Sequence, residues 1–123
     1  VTAQDLVEGK THNDAVCRVR FPVDVHSTDA GKTKGIMKEK VRAKPYDIPF
    51  RALVARDVDG LLMAGRCISG DFIAHSSYRV TGNAVPMGEA AGVAAALACT
   101  NGCLPHELRW EAIAEGIAAI PRG

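Results

Sequence analysis

The sequence predicts an α/β fold, and three observations support that prediction. A short apolar run at residues 61–64 is bounded by turn residues, as in a parallel strand that is buried on both faces. A segment rich in Gly and Ala over residues 83–100 has the length of a helix and ends at Asn101-Gly102. Aromatic residues make up only 5% of the chain while Ala, Val and Gly are frequent, which favours α/β proteins over other classes.

The N-terminal part of the chain predicts smaller elements. Thr2 and Asp5 have the spacing of a capping box, which predicts a short helix or turn that Gly9 ends. Residues 12–20 predict a second, weaker helix. Residues 21–26 alternate apolar and polar side chains as a strand does, and the Pro within them favours an edge position or a strand start.

The charges of the chain exclude some partners. The formal net charge is +1, so it suggests neither nucleic-acid binding nor attraction to a membrane surface. The basic segment 27–44 predicts an exposed loop or a loosely paired hairpin, and without interleaved aromatic residues its charges favour a solvated surface. The sequence begins at Val1 without a signal-peptide pattern, as a processed protein or an excised piece would, and we expect an excised piece. The expected location of the parent protein is the cytoplasm.

Residues 46–54 predict a turn and a short strand, which a polar turn at 56–60 joins to the buried strand at 61–64. Asn83 is the expected N-cap of the long helix, and Pro86 then falls in its first turn, where a missing N–H costs little.

A final helix is expected from Pro105 onward. Its predicted buried side consists of Leu108, Ala112, Ile113 and Ile117.

The four cysteines predict no metal site. The chain contains no C-x-x-C pair, so zinc is not expected. Small buried thiols are the favoured interpretation for Cys17, Cys99 and Cys103. The interpretation of Cys67 stays open, because this residue directly follows the end of the predicted strand.

The order strand, Gly65, polar loop and helix start is the device by which dinucleotide-binding enzymes bring backbone close to a cofactor. No G-x-G-x-x-G turn follows a strand, so the part of such a site that grips a pyrophosphate is not expected on this chain. Gly88 and Gly92 leave one face of the helix smooth, which favours close packing on a strand or a flat ligand. A membrane helix is rejected because the segment is short and contains Glu89.

Four stretches together resemble a known family. They are YDIPFRALV at 46–54, DGLLMAGRCIS at 59–69, H-x-S-x-R at 75–79 and G-x-AAG-x-AAALA at 88–98. As a set, they are similar to the C-terminal portion of the FAD-dependent oxidoreductases that share the glutathione-reductase type of flavin fold. The resemblance runs from about Thr2 to the last helix.

This resemblance implies a partial FAD/NAD(P)-binding-type domain that lacks the N-terminal Rossmann βαβ unit and consists of short strands and C-terminal helices. Residues 1–45 would form a substrate-side or edge segment, and residues 46–123 the flavin-capping strand and helices. The implied partners are the missing N-terminal flavin-binding half and a small-molecule substrate. FAD would belong to the complete protein and would not be retained by this chain alone. The isolated chain would self-associate, because strand 61–64 would leave apolar edges open.

The resemblance also assigns site residues. The implied cofactor-binding positions are Ala64, Gly65 and Arg66 at the strand end, and Asn83, Ala84, Val85 and Gly88 at the helix start. Gly65 would let backbone approach the flavin without a Cβ in the way, although glycine there also suits helix–strand packing. The helix N-terminus would favour the negative charge that gathers at the flavin N1–C2=O edge on reduction.

The implied catalytic positions, Arg79 and His75, lie with Ser76 and Ser77 in the predicted loop before the long helix. Arg79 would bind a substrate carboxylate or steady a developing anion, and a salt bridge that fastens the loop is an equal alternative. His75 would move a proton beside the hydride step, although a simple hydrogen-bonding role is favoured. His26 is a further candidate for the same cleft.

A function from a different class also remains open. The chain could be a non-catalytic assembly or binding module that docks on a separate flavin-binding chain.

Overall fold

The computed structural model describes residues 1–25 and 41–121. These residues form four α-helices, two strands and three short 3-10 turns. In chain order they are α1 (Ala3–Glu8), β1 (Ala15–Val19), β2 (Tyr46–Pro49), a 3-10 turn at Phe50–Ala52, a second at Gly65–Cys67, α2 (Phe72–Tyr78), α3 (Thr81–Asn101), a third 3-10 turn at Pro105–Glu107 and α4 (Trp110–Ala118).

The first helix confirms its sequence signature. The Thr2 hydroxyl accepts a bond from the Asp5 N–H, and the Asp5 carboxylate accepts one from the Thr2 N–H at 2.8 Å. Gly9 ends the helix with a φ of 71°, a conformation that glycine adopts without steric cost.

The predicted helix at 12–20 is wrong, because most of this segment is strand β1. β1 pairs antiparallel with β2, with Val19 opposite Tyr46, and a bulge lies between Ala15 and Cys17. β-branched Val residues suit this half-buried surface, and a partner strand outweighs a weak helical preference. The Arg18 guanidinium closes the pair with a 2.9 Å bond to the Asp47 carboxylate.

Residues 21–25 form no strand, contrary to the prediction for 21–26. They lie instead along α2, where the Asp24 N–H donates to the Ser76 carbonyl oxygen at 3.1 Å. His26 and most of the basic segment, residues 26–40, lie outside the described residues, so the predictions made for them stay predictions.

The buried parallel strand predicted at 61–64 is also wrong. Leu62 makes only an isolated antiparallel bridge with Val54, and the Leu61 side chain is 44% exposed. The polar turn at 56–60 folds this segment back on its own neighbour, since the Met63 N–H donates to the Leu53 carbonyl oxygen at 2.7 Å. The described sheet therefore has two antiparallel strands. This combination of a short sheet with helices is consistent with a fragment of an α/β fold.

Helix α3 begins three residues earlier than predicted. Val80 is its N-cap residue and Asn83 lies inside its first turn, so Pro86 falls in the helix interior. Its C-terminal end is as predicted, with Gly102 in the left-handed conformation. Met87 and Ala residues of α3 are buried in the core, whereas a Cβ added at Gly88 or Gly92 would have nothing within 4 Å.

The last helix packs on α3 and completes the core. It begins at Trp110 rather than Pro105, and Trp110 lies against Phe50 with ring centroids 6.0 Å apart. Ile113 is buried as predicted, but Ala112 is exposed. No helix in the described part of the chain is long and apolar enough to cross a membrane.

The described cysteines are all free thiols. Cys17 and Cys103 are half-buried, whereas Cys67 and Cys99 are exposed, so the prediction of a buried thiol at Cys99 is wrong. Burial, reinforced by the negative charge of Asp47, raises the pKa of the Cys17 thiol to about 11.

Candidate functional site

A cavity of about 500 Å³ lies between the 3-10 turn at Gly65–Cys67 and the start of α3. It is lined by Arg66, Arg79, Val80, Thr81 and Ala84. Three of these residues, Arg66, Arg79 and Ala84, were predicted as site residues from three separate parts of the sequence. The fold brings them to one place, and we call this cavity the arginine cavity.

Gly65 sets the distance between the two walls of the arginine cavity. It is buried, its φ is 63°, and a Cβ added to it would lie 3.3 Å from the Ala84 Cβ. The φ value and the short distance to Ala84 each favour glycine here, because an L-residue is strained at this φ and a methyl group would crowd Ala84. The packing explanation for Gly65 therefore has direct structural support.

The start of α3 carries a positive potential. The first intrahelical bonds run from the Asn83 and Ala84 N–H groups to the Val80 carbonyl oxygen, at 3.1 and 3.3 Å. The N-cap residue Val80 has an apolar side chain, so it provides no side-chain acceptor for the first N–H groups of the helix, those of Thr81 and Gly82. Such an end has about half a positive charge and attracts anionic groups.

Arg79 lies at the C-terminal end of α2 rather than in a loop. Its Nη2 donates to the backbone carbonyl oxygen of Asp24 at 2.9 Å, which fastens residues 21–25 to this helix. The fastening role predicted as an alternative thus exists, but it uses a backbone carbonyl and leaves the guanidinium charge in place.

His75 does not line the arginine cavity. It lies inside α2, half-buried, with its ring edge-on to Tyr78 at a centroid distance of 5.4 Å. The predicted loop is a helix because the Asp71 carboxylate caps it, accepting the Ala74 N–H at 2.8 Å. This Asp followed by an apolar residue was the signal that the sequence prediction overlooked.

Ser76 and Ser77 are buried and structural. The Ser76 hydroxyl donates to the Phe72 carbonyl oxygen at 2.9 Å. The Ser77 hydroxyl donates to the Phe21 carbonyl oxygen at 2.6 Å and accepts the Tyr46 phenol at 3.0 Å. Burial raises the pKa of Tyr46 to about 12, so this phenol remains a donor over the physiological range.

The remaining predicted cofactor positions do not line the arginine cavity. Ala64 is half-buried and accepts the Cys67 N–H at 3.3 Å, and Asn83 donates from Nδ2 to the Tyr78 carbonyl oxygen at 3.3 Å. Val85 and Gly88 lie on the outer face of α3, where the Val85 side chain is 57% exposed. The expected N-cap role of Asn83 is therefore wrong.

Val80 and Thr81 line the arginine cavity but were missed from the sequence. Both residues directly follow Arg79. A prediction that placed the start of α3 at Thr81, instead of placing its N-cap at Asn83, would have identified them. Tyr78 immediately precedes this stretch. Burial, together with the nearby Asp71 carboxylate, raises the pKa of its phenol, which donates to the Ile68 carbonyl oxygen at 3.2 Å.

A larger cleft of about 820 Å³ lies elsewhere on the molecule and contains none of the predicted site residues. It is lined by Phe50, Arg51, Val54, Ala55, Arg56, Asp59, Met63, Cys67, Ser69, His106 and Leu108. Residues 1–25 and 41–121 contain no group of three His, Cys, Asp or Glu side chains that could hold a metal ion.

Comparison with known proteins identifies the family of the chain. Residues 1–117 match the family model described as FAD dependent oxidoreductase, and the chain therefore belongs to that family. The family is one of flavoproteins, so FAD is the cofactor that membership implies. Neither a curated protein nor a solved structure matches the chain.

Proposed function

We propose that this chain is the C-terminal part of an FAD-dependent oxidoreductase of the glutathione-reductase type, and that it supplies the flavin-end and substrate-side part of the active site. Its partner in this proposal is an N-terminal flavin-binding half that contains the Rossmann unit. The arginine cavity is the observation that carries the proposal, because it joins Arg66, Arg79 and Ala84 at the start of α3. Residues 1–45 would form the substrate side and residues 46–123 the flavin side.

The residues present fit a flat cofactor. The outer face of α3 is open at Gly88, and Val85 offers an exposed apolar surface beside the uncapped helix start. Gly65 and Ala64 keep the facing turn close, and Arg66 and Asn83 add polar groups at its edges. FAD, when bound, supplies the acceptor or donor of the hydride. The positive helix end would favour extra negative charge placed there.

Two side chains of the α2 region are proposed for the substrate side. Arg79 would hold or steady an anionic group, since it lines the arginine cavity. Its bond to the Asp24 carbonyl oxygen does not neutralise the guanidinium charge, because that acceptor is uncharged. His75 would act as a proton donor or hydrogen-bonding group only if a substrate reaches the edge of α2, because its ring lies against Tyr78. No metal takes part in the proposal.

The test is flavin retention. The 123-residue chain and a version extended upstream in its reading frame are purified, freed of unbound flavin, and compared by visible absorption. We expect a flavin band only for the extended protein. A band retained by the short chain would show that it makes a complete site and would contradict the missing-half proposal.

Two matched variants locate the flavin in the extended protein. Val85 is 57% exposed on α3 and Val58 is 56% exposed in the turn before residue 61. Val85→Asp should abolish the flavin band, whereas Val58→Asp should leave it intact. If the extended protein keeps its flavin in both variants, α3 is not the flavin-facing helix, and a non-catalytic docking role becomes the better explanation.

The proposal also includes self-association of the isolated chain and a cytoplasmic location. Light scattering after size-exclusion chromatography should give a mass above that of one chain, and restoring the N-terminal half should reduce it to one copy. Cell fractionation checks the location.

A further inference from the structure

We infer that the arginine cavity binds the carboxylate of an organic acid between Arg66 and Arg79, so that the proposed oxidoreductase acts on an acid rather than on a neutral substrate. The role of this acid as a substrate rests on the proposed function. The binding of the carboxylate rests only on the cavity.

The charge in the arginine cavity is not compensated by its own walls. Two guanidiniums line it, and the other lining residues, Val80, Thr81 and Ala84, are neutral. In the part of the chain that the structure describes, Arg66 makes no side-chain hydrogen bond or ion pair. Two like charges facing one small space repel each other, and an anion between them removes that repulsion.

At three other arginines of the molecule the charge is paired within the chain. Arg18, Arg51 and Arg109 each contact a carboxylate, from Asp47, Asp14 and Glu111 respectively. The arginine cavity therefore differs from those parts of the surface, where a guanidinium is paired within the chain.

Arg79 is held in place without losing its charge. Its Nη2 bonds to the Asp24 carbonyl oxygen at 2.9 Å, and this neutral acceptor leaves the remaining N–H donors of the planar fork for another group. A guanidinium fixed in this way loses less side-chain entropy when it binds an anion.

The cavity suits an organic acid better than an inorganic anion. The guanidinium fork matches a carboxylate and a phosphate alike, and the Thr81 hydroxyl is a further donor in the lining, so the preference for an organic acid comes from the apolar side chains. The Val80 and Ala84 side chains provide an apolar wall for the carbon atoms next to the carboxylate. A volume of about 500 Å³ is that of a small-molecule site.

The test follows the Nε–H signals of the arginines by NMR in the full 123-residue chain without flavin. The chain is titrated at constant ionic strength with isobutyrate, with isobutyramide, and with inorganic phosphate. We expect isobutyrate to shift the Arg66 and Arg79 signals together with one saturating dissociation constant, while the Arg109 signal stays unchanged. Isobutyramide should give no shift, and phosphate should bind more weakly than isobutyrate.

Substitution then identifies the residues. Arg66→Gln should weaken isobutyrate binding about tenfold, as expected for loss of a charged hydrogen-bond donor. Arg109→Gln removes another exposed charge, one that lies outside the cavity, and should change nothing. Because Arg66 is exposed and has no partner among the described residues, its substitution leaves the fold intact, which Arg79→Gln need not do.

The inference is overturned if isobutyramide binds as well as isobutyrate, if Arg66→Gln binds like the unaltered chain, or if phosphate binds more tightly. The last result would assign the cavity to a phosphate instead. Failure of flavin retention leaves the inference standing, because the titration contains no flavin. If the extended protein retains flavin but the chain binds no carboxylate, this inference is overturned and the proposed function stands.

Discussion

Replacing Gly65 by Ala is expected to destabilise the chain by about 1–2 kcal/mol, the cost of placing an L-residue in a left-handed conformation. The φ of 63° at Gly65 accounts for this cost. The added methyl group would also lie 3.3 Å from the Ala84 Cβ, so the turn and α3 must separate by a few tenths of an ångström. Urea denaturation of the flavin-free chain, followed by circular dichroism, measures the change in the free energy of unfolding.

A double-mutant cycle separates the two causes. Ala84→Gly removes the crowded methyl group but itself costs about 1 kcal/mol of helix stability. The double variant should therefore be more stable than the sum of the single changes predicts, by about 0.5 kcal/mol. The strain from φ should remain.

Two glycines of α3 are matched controls for Gly65. A Cβ on Gly88 or Gly92 would have nothing within 4 Å, and both residues have ordinary helical φ. Ala at either position should stabilise the isolated chain by about 0.5–1 kcal/mol. The reasoning is refuted if Gly65→Ala leaves the unfolding free energy unchanged, or if it behaves like the two controls.

Three further predictions use the same unfolding assay. Gly116→Ala should destabilise the chain because its Cβ would lie 2.5 Å from the Val93 Cγ1, and Val93→Ala in the same chain should recover part of the loss. Ser77→Ala should cost about 1–3 kcal/mol, because it leaves the buried Tyr46 phenol without its acceptor. The pKa of Cys17 rises from 9.0 to about 11 and that of Tyr46 from 10.0 to about 12 on folding, so the stability that these two groups contribute should be fully present below pH 9 and be lost between pH 9 and pH 12.

Each of these predictions has a contradicting result. Full stability of Gly116→Ala would mean that α4 can move away from α3 at no cost. For Ser77, an equal loss in a Tyr46→Phe, Ser77→Ala double variant would show that the missing acceptor is not the cause. A Cys17→Ser, Tyr46→Phe variant should have a flatter alkaline slope, and an unchanged slope would assign the alkaline loss to other groups.

The sequence predicted best where a local chemical signal acts alone. The capping box of Thr2 and Asp5 needs only neighbouring residues, and so does the left-handed stop at Gly102. The site was partly predictable for a similar reason. Arg66, Arg79 and Ala84 belong to or lie beside short stretches that resemble one family, and the fold does bring them together.

The sequence failed where a distant partner decides the structure. Residues 15–19 are a strand because β2 lies beside them, although nothing close in the sequence reveals that pairing. The apolar run at 61–64 was predicted to be buried on both faces, but the turn at 56–60 returns it against 53–55 and leaves Leu61 exposed. Val80 and Thr81 were missed because the helix start was placed at Asn83.

The contact between Gly70 and Tyr78 has a kinetic consequence. A Cβ on Gly70 would lie 2.6 Å from the Tyr78 hydroxyl oxygen, and that hydroxyl donates to the Ile68 carbonyl oxygen at 3.2 Å. The turn and α2 thus form one short-range unit over residues 68–78, with Arg66 just before it and Arg79 just after it. A unit built from contacts so near in sequence closes quickly and opens as a whole. We therefore expect the backbone between Arg66 and Arg79 to become ordered early in folding, whereas the Arg79 guanidinium is fixed only when residues 21–25 dock on α2.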